Sequence, residues 1–355
     1  MNPTTVTGIF KAVDSRTDIL GLSLAELEQL CSCEVFPKYT AKQICQWLYN
    51  KRVSCIDDMT NLSKTVRGRL KEIAYIGRRV PVQCRESADG TKKYLFELSE
   101  NRGFVESVFI PDEDRATLCV SSQVGCKMGC HFCATGRMGF HGNLTPSDIL
   151  NQFFSVTDSH LLTNVVFMGM GEPMDNLDAV LKVCEVATAD WGMGWSPKRI
   201  TVSTVGIVPG IRRFLEQSRC HLAVSLHNAF ADERVQSMPV EKAYPASSVV
   251  SLLRQYDWSG QRRLSFEYTM LKGINDDRRH AEALLKLLSG LECRVNLIRF
   301  HSSKDAPYQT SDMATITAFR DFLNAKGVRC TLRASRGEDI EAACGLLATQ
   351  RALDE

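Results

Sequence analysis

Three cysteines stand within eight residues of this 355-residue chain: Cys126, Cys130 and Cys133 in "CKMGCHFC". By type and spacing they are suited to hold a metal group. A structural zinc ion usually takes four Cys or His ligands, in two pairs held apart by a loop. Here there is one triplet, no fourth cysteine follows nearby, and His131 lies between two thiols, poorly placed to complete a tetrahedron. Three buried core cysteines would be a second reading, at odds with a Gly-rich loop. The third is an iron–sulfur cluster with thiolates on three irons and one iron open to chelate a small molecule. The spacing and the strand-then-loop setting favour this third reading.

The elements that must position these thiols follow from hydrophobic periodicity. "SLAELEQLC" opens with Ser23 as an N-cap and carries apolar residues at helical spacing. "TAKQICQWLYNKRV" repeats the pattern with Ile44, Trp47 and Leu48 on one face, and "NLSKTVRGRLKEIA" predicts a helix with a basic outer face. From about Val80 to Pro111 the period changes: "KKYLFELS" and "FVESVFIP" predict paired strands joined by a turn at "ENRG". Seven short apolar runs then alternate with helical patterns: "ATLCVSS", "NVVFMGMG", "RITVSTVG", "HLAVSLH", "LSFEYTML", "RVNLIRF" and "RCTLRAS". Serial βα units predict a parallel sheet covered by helices, either doubly wound or a barrel. Polar and Gly-rich residues follow most of these runs, at the strand ends where barrel enzymes place their chemistry.

Composition sets the outer limits. The chain is 44% hydrophobic and 24% charged, ordinary for a soluble globular protein, with a net charge of +2. The amino terminus lacks the apolar core of a signal peptide and no run approaches membrane-spanning length, so a cytoplasmic enzyme is expected. Fourteen cysteines in such a chain point to metal or thiol chemistry for some, and to small buried hydrophobes for others such as Cys184, Cys220 and Cys293. The charge is uneven: from Phe36 to Arg79 there are ten Lys or Arg against three Asp or Glu. A solvated helix face is the plain reading of that surface on charge alone.

The CxxxCxxC spacing is that of the radical SAM superfamily, in which S-adenosylmethionine (SAM) fills the open iron position. "TLCVSSQVGCKMGCHFCATGRMGF", "VVFMGMGEP", "ITVSTVGIVPGI", "LAVSLHNA" and "RGEDIEAACGLL" together resemble the RlmN/Cfr family of RNA methyltransferases, closer to RlmN. The resemblance runs from about Pro37 to Leu347. It implies a partial six-unit (βα) TIM-like barrel with a small helical N-terminal domain and a short β extension. The expected divisions are 1–79 for the helical RNA-binding domain, 80–111 for the extension, 112–347 for the barrel and 348–355 for a tail.

The resemblance also implies roles. Cys126, Cys130 and Cys133 match the ligands of a [4Fe-4S] cluster. Gly171 and Glu172 match the pair that binds the methionyl ammonium of SAM, for which glycine allows close backbone approach and a carboxylate accepts charged hydrogen bonds. Ser203, Ser225, Leu226 and His227 match further SAM contacts. In "NLIRFHSSKD", His301 takes the place where the family usually has Asn. Cys344 matches the cysteine that becomes S-methylated. Cys119 matches the thiol that later attacks Cys344 sulfur and forms a transient disulfide, and Glu106 matches the base that removes the adenine C2 proton. Taken alone, each of these three residues has a plain alternative, a packed thiol or a solvent-facing strand carboxylate.

The implied activity is methylation of carbon 2 of an adenosine in 23S rRNA, and of tRNA beside the anticodon, using two SAM per methyl group. Adenine C2 is a poor nucleophile, so a radical route with the cofactor doing the hard step is the chemistry such a product needs. Cfr-like methylation of carbon 8 is the alternative. A monomer is expected, with an electron donor such as flavodoxin, and the Lys38–Arg79 surface is expected to guide RNA through phosphate contacts. Two rivals remain at this level: a radical SAM enzyme acting on a protein or metabolite, which would not need Cys119 and Cys344, and a noncatalytic RNA-binding cluster protein.

Overall fold

Capping and amphipathic spacing build the amino-terminal helices. In the computed structural model, which describes residues 16–99, 102–301 and 307–348, Ser23 Oγ accepts from Glu26 N–H while the Glu26 carboxylate accepts from Ser23 N–H at 2.8 Å. This reciprocal box starts helix Leu24–Cys33. Helix Thr40–Cys45 runs on into a wider turn over Gln46–Asn50, burying Ile44 and Leu48. Ser63 caps helix Lys64–Ile73. Two short parallel strands, β1 (Thr17–Asp18) and β2 (Ala74–Tyr75), tie the ends of this unit together.

The expected basic face of this unit is largely spent on structure. Arg69 pairs with Glu34 and Glu72, Lys71 with Asp57, and Arg79 with buried Asp148. Arg67 donates to the carbonyls of Met59 and Leu62, and Arg78 to those of Arg52 and Phe154. Charge counted along the sequence does not show where each cation's partner lies.

Three antiparallel strands follow: β3 (Gln83–Glu86), β4 (Lys92–Glu97) and β5 (Phe104–Asp112). In the expected turn between the last two, Glu100 and Asn101 lie outside the described residues, as does most of the expected tail. Strand β6 (Arg115–Cys119) pairs antiparallel with β5, so extension and core form one sheet. A small hairpin, β7 (Gln123–Gly125) and β8 (Phe140–Asn143), brackets the three cysteines. Its short Gly-rich strands carry no period-2 signal.

The remaining strands are β9 (Asn164–Phe167), β10 (Ile200–Thr204), β11 (His221–Ser225), β12 (Leu264–Met270), β13 (Arg294–Arg299) and β14 (Arg329–Leu332). The sheet order is β14-β13-β12-β11-β10-β9-β6-β5-β4-β3, with every neighbour pair from β6 to β14 parallel. All seven expected runs are strands. Helices Pro146–Ser155, Leu177–Thr188, Val208–Gln217, Ala246–Leu253, Arg278–Leu288 and Met313–Ala325 connect them. The apolar strand residues fill the space between sheet and helices: Val165, Val202, Leu222, Phe266, Val295 and Leu297 are fully buried. Each such side chain contributes about 1.5–3 kcal/mol of transfer free energy. Cys184 and Cys220 are buried as expected, whereas Cys293 is only half-buried.

Among the described residues, no helix is long and apolar enough to cross a membrane.

Candidate active site

The carboxyl ends of β9 to β13 converge on a cavity of about 150 Å³ lined by Cys126, Cys130, Cys133, Gly171, Glu172, Ser203, Ser225 and His227. Backbone bonds hold the thiol loop in shape: Cys126 N–H donates to Gly139 O at 2.8 Å and Cys133 N–H to Cys130 O at 3.1 Å. Gly136 must lack a side chain, because a Cβ there would stand 2.9 Å from both N and O of Cys130. Burial pushes all three thiols up, Cys126 to about 12. Thiols held protonated in this way release protons on binding metal. Among the described residues, no three His, Cys, Asp or Glu side chains gather on the centre of a single ion. The donor set is three soft sulfurs lining one cavity, the ligand type that an iron–sulfur cluster takes.

Opposite the thiols, Gly171 adopts φ +97, and a Cβ would lie 2.5 Å from Gln123 Cβ. Glycine is required there. Glu172 follows, fully enclosed: Oε1 accepts from Met174 N–H at 3.0 Å and Oε2 from Val205 N–H at 2.9 Å. Burial outweighs these bonds and raises its carboxyl to about 7. A bound ammonium would favour the ionised form. His227 has φ 57, an uncommon conformation for a residue with a Cβ. Its Nδ1 accepts from Thr269 N–H at 2.9 Å, and burial lowers its basicity to about 3, so the ring is neutral and carries its proton on Nε2.

Two expected SAM contacts fall elsewhere. Leu226 is buried outside the cavity lining, its carbonyl taken by Arg234. His301, beyond the end of β13, lines the neighbouring cavity, with Nε2 2.9 Å from Ser335 Oγ and Nδ1 3.4 Å from Glu338. Ile298 and Phe300 line the first cavity in its place. The residues that follow His301, Ser302 to Asp305, lie outside the described residues.

That second cavity, about 410 Å³, runs through the strand-lined interior. Met168, Glu267, Ile298, Arg333 and Cys344 line both cavities and form the wall between them. Cys344 is held there by a pinned segment: Gly345 O accepts from Ala134 N–H at 2.8 Å and Leu347 O from Thr135 Oγ1 at 2.6 Å, both on the helical turn after Cys133. Cys119, at the end of β6, is buried, and burial pushes its thiol up to about 12, with Arg333 opposing the rise. Glu106 is buried behind this segment rather than lining either cavity. Its Oε1 lies 3.4 Å from Lys93 Nζ, its Oε2 accepts from Ala348 N–H at 3.0 Å, and burial raises its carboxyl against the pull of Lys93.

Several residues of this site escaped the sequence reading. Glu267 accepts from Ser265 Oγ and Asn296 Nδ2 through Oε1, while Oε2 is buried with no hydrogen-bond partner among the described residues. A glutamate inside the apolar run "LSFEYTML" was the available signal. Arg333, just past β14, lines both cavities and approaches Met168 Sδ at 3.2 Å. Arg234 is 1% exposed, pairs with Glu241, and donates to the carbonyls of Leu226, Val205 and Ser225, bracing the loops that carry Ser225 and His227.

Comparison with known proteins agrees with this geometry. Residues 17–76 match the model of the ribosomal RNA large subunit methyltransferase N-terminal domain, and residues 120–285 that of the radical SAM superfamily. The chain is 56% identical over 339 residues to a probable dual-specificity RNA methyltransferase RlmN of Parabacteroides distasonis, covering 96% of this chain and 98% of the relative. It is 41% identical over 345 residues to the dual-specificity RNA methyltransferase RlmN of Syntrophus aciditrophicus, covering 96% and 99%. Among solved structures, a radical SAM methyltransferase from Sphaerobacter thermophilus superimposes with a TM-score of 0.88 at 39% identity, covering 93% of this chain and 99% of that one.

Proposed function

The chain belongs to the RlmN family of radical SAM RNA methyltransferases, which use a [4Fe-4S] cluster and SAM, and from that premise we propose that it methylates adenosine C2 in 23S rRNA and in tRNA through a methylated Cys344. The observation that carries this reading is the position of Cys344 on the wall shared by the thiol cavity and the larger cavity. A cysteine so placed can take a group from a cofactor on one side and pass it to a base on the other.

When bound, the cluster and SAM supply a methyl group and a 5′-deoxyadenosyl radical. Cys126, Cys130 and Cys133 would hold the cluster; Glu172 would take the methionyl ammonium, Gly171 would give it backbone room, and Ser203, Ser225 and His227 would complete the contacts. Cys344 sulfur receives the methyl group. After loss of a hydrogen atom, that carbon joins adenine C2. Glu106 takes the C2 proton once the Ala348 N–H gives up its carboxylate. Cys119 thiolate then attacks Cys344 sulfur, the bond from that sulfur to the carbon breaks, and the carbon takes a proton to complete the methyl group. The one surplus electron of the adduct is returned to the redox cofactor, and the Cys119–Cys344 disulfide is reduced by cellular thiols. Burial that keeps Cys119 protonated delays this attack until a base is available.

RNA dictates the rest. A target adenosine must leave its stack to enter an interior cavity, at lower cost from a loop than from a duplex. A flavodoxin-like donor supplies electrons to the monomeric enzyme in the cytoplasm. The test is anaerobic reconstitution with iron, sulfide, SAM and a reductant on unmodified 23S rRNA. 5′-Deoxyadenosine together with 2-methyladenosine supports the reading; 5′-deoxyadenosine without methylated RNA would move the substrate to another class.

A further inference from the structure

Two observations outside the thiol chemistry concern the opposite, amino-terminal ends of the core strands. First, cations accumulate there: Lys198 and Arg199 precede β10, Arg263 precedes β12, and Arg294 and Arg329 open β13 and β14. Arg294 and Arg329 are direct register partners on adjacent strands, an arrangement that costs stability. Among the described residues, none of these five has a carboxylate within ion-pair distance. The nearby acids do not offset them. Asp112, which lines the same larger cavity, is engaged by Arg115 at 3.9 Å and Arg336 at 3.7 Å, and Glu292 is the single carboxylate lining the adjoining hollow. His221, on the same rim, accepts Arg263 N–H at Nδ1 and stays neutral under burial and four surrounding cations.

Second, Lys198, Arg199, Arg263 and Arg294 line the larger cavity together with Cys344, and Arg329 lines the hollow adjoining it. The helical domain abuts the loop that leads to Lys198: Asn50 Nδ2 donates to Gly192 O at 2.8 Å, and Tyr49 packs edge-on against Trp191. That domain's own arginines are mostly committed to internal partners, as described above. Mutually repelling cations left unpaired around a passage to the acceptor cysteine form a surface made for a polyanion.

We infer that the rim formed by Lys198, Arg199, Arg263, Arg294 and Arg329 is the RNA-backbone docking surface, and that the flipped adenosine reaches Cys344 through the cavity behind it. The inference rests on the RNA-methyltransferase reading and adds the face of entrance. Phosphates of the strand flanking the target lie on the rim and fix its register, while the base passes inward.

The experiment uses the full-length holoenzyme and in vitro transcribed 23S rRNA. Arg263→Gln/Arg294→Gln/Arg329→Gln is compared with Lys38→Gln/Lys42→Gln/Lys64→Gln from the helical domain, each with melting temperature and iron content checked. Loss of three phosphate contacts should reduce the slope of log affinity against log salt by about 2 to 3. Affinity near 0.1 M salt should fall tenfold or more, with the helical-domain variant losing less. If the rim variant misfolds, photocrosslinking of wild-type enzyme to 4-thiouridine-containing RNA decides instead, with crosslinks expected in the peptides around Lys198, Arg263 and Arg294. Wild-type enzyme that methylates the transcript while the rim variant keeps its affinity and slope, or while crosslinks avoid the rim, overturns the inference. Wild-type enzyme that does not methylate RNA overturns the reading beneath it.

Discussion

Lys93 and Glu106 face each other at 3.4 Å on adjacent strands β4 and β5, and together they hold both ends of the segment that carries Cys344. Lys93 Nζ donates to Glu341 O at 3.2 Å, and Glu106 accepts from Ala348 N–H at 3.0 Å. The proposed base is thus also an anchor. In the proposed mechanism, proton transfer at C2 and release of the segment are coupled through one carboxylate.

Glu106→Gln keeps an oxygen for Ala348 but leaves Lys93 as a buried cation without its counter-charge. Breaking such a pair costs about 3–5 kcal/mol. The melting temperature should drop, and RNA should accumulate on Cys344 because the C2 proton stays in place. Adding Lys93→Met should recover most of the stability without recovering turnover. Thermal unfolding and denaturing gels read the two effects separately; wild-type turnover by Glu106→Gln would remove Glu106 from the chemistry.

Single replacement of Cys126, Cys130 or Cys133 by Ala should abolish bound iron and visible absorbance after reconstitution. Of the neighbouring cysteines, Cys119 lies outside the cavity lining, and Cys344 is held by its own segment through Gly345 O and Ala134 N–H, so neither takes the place of a missing thiol. A variant that retains full iron content and reductive SAM cleavage would contradict the three-thiolate assignment.

The pH response of the rim follows from His221, whose basicity is lowered from 6.5 to about 4 by burial and by Arg263, Lys198, Arg294 and Arg262. As pH falls, the unfolded chain takes up the proton before the folded one does. The stability linked to neutral His221 is therefore complete above about 6.5 and is lost as pH falls through 4. His221→Asn, which keeps an acceptor for Arg263 N–H, should flatten the melting temperature between pH 6.5 and 4. An unchanged slope in that variant would assign the acid sensitivity to another group.

Carbon position is read by mass spectrometry of nucleosides from rRNA incubated with the enzyme. 2-Methyladenosine is expected; 8-methyladenosine as the main product would move the chain to the Cfr side of the family.

Much of the scaffold was legible because parallel strands buried on both faces read as continuous apolar runs, and all seven such runs are strands. The thiol triplet was legible from spacing alone. What stayed hidden depends on partners distant in sequence. Nothing in "KKYLF" shows that Lys93 meets Glu106, nor does the run of cations from Lys38 to Arg79 show that Arg69, Lys71, Arg78 and Arg79 are already engaged. His301 aligned with a SAM contact by motif position, yet beyond the end of β13 it lines the other cavity. The rim cations are scattered from Lys198 to Arg329 and become neighbours when the strands align.

The two thiols are separated most directly by what their variants accumulate. Without Cys344 there is no acceptor, so neither methylated protein nor RNA adduct should form. Without Cys119 the methyl group is still loaded and still joins adenine, but no thiol is placed to attack Cys344 sulfur. The decisive measurement is therefore denaturing electrophoresis of Cys119→Ala after anaerobic incubation with SAM, reductant and 23S rRNA. A denaturation-resistant, nuclease-sensitive band that disappears in Cys119→Ala/Cys344→Ala is the expected result; normal turnover by Cys119→Ala with no trapped RNA would contradict the two-thiol mechanism.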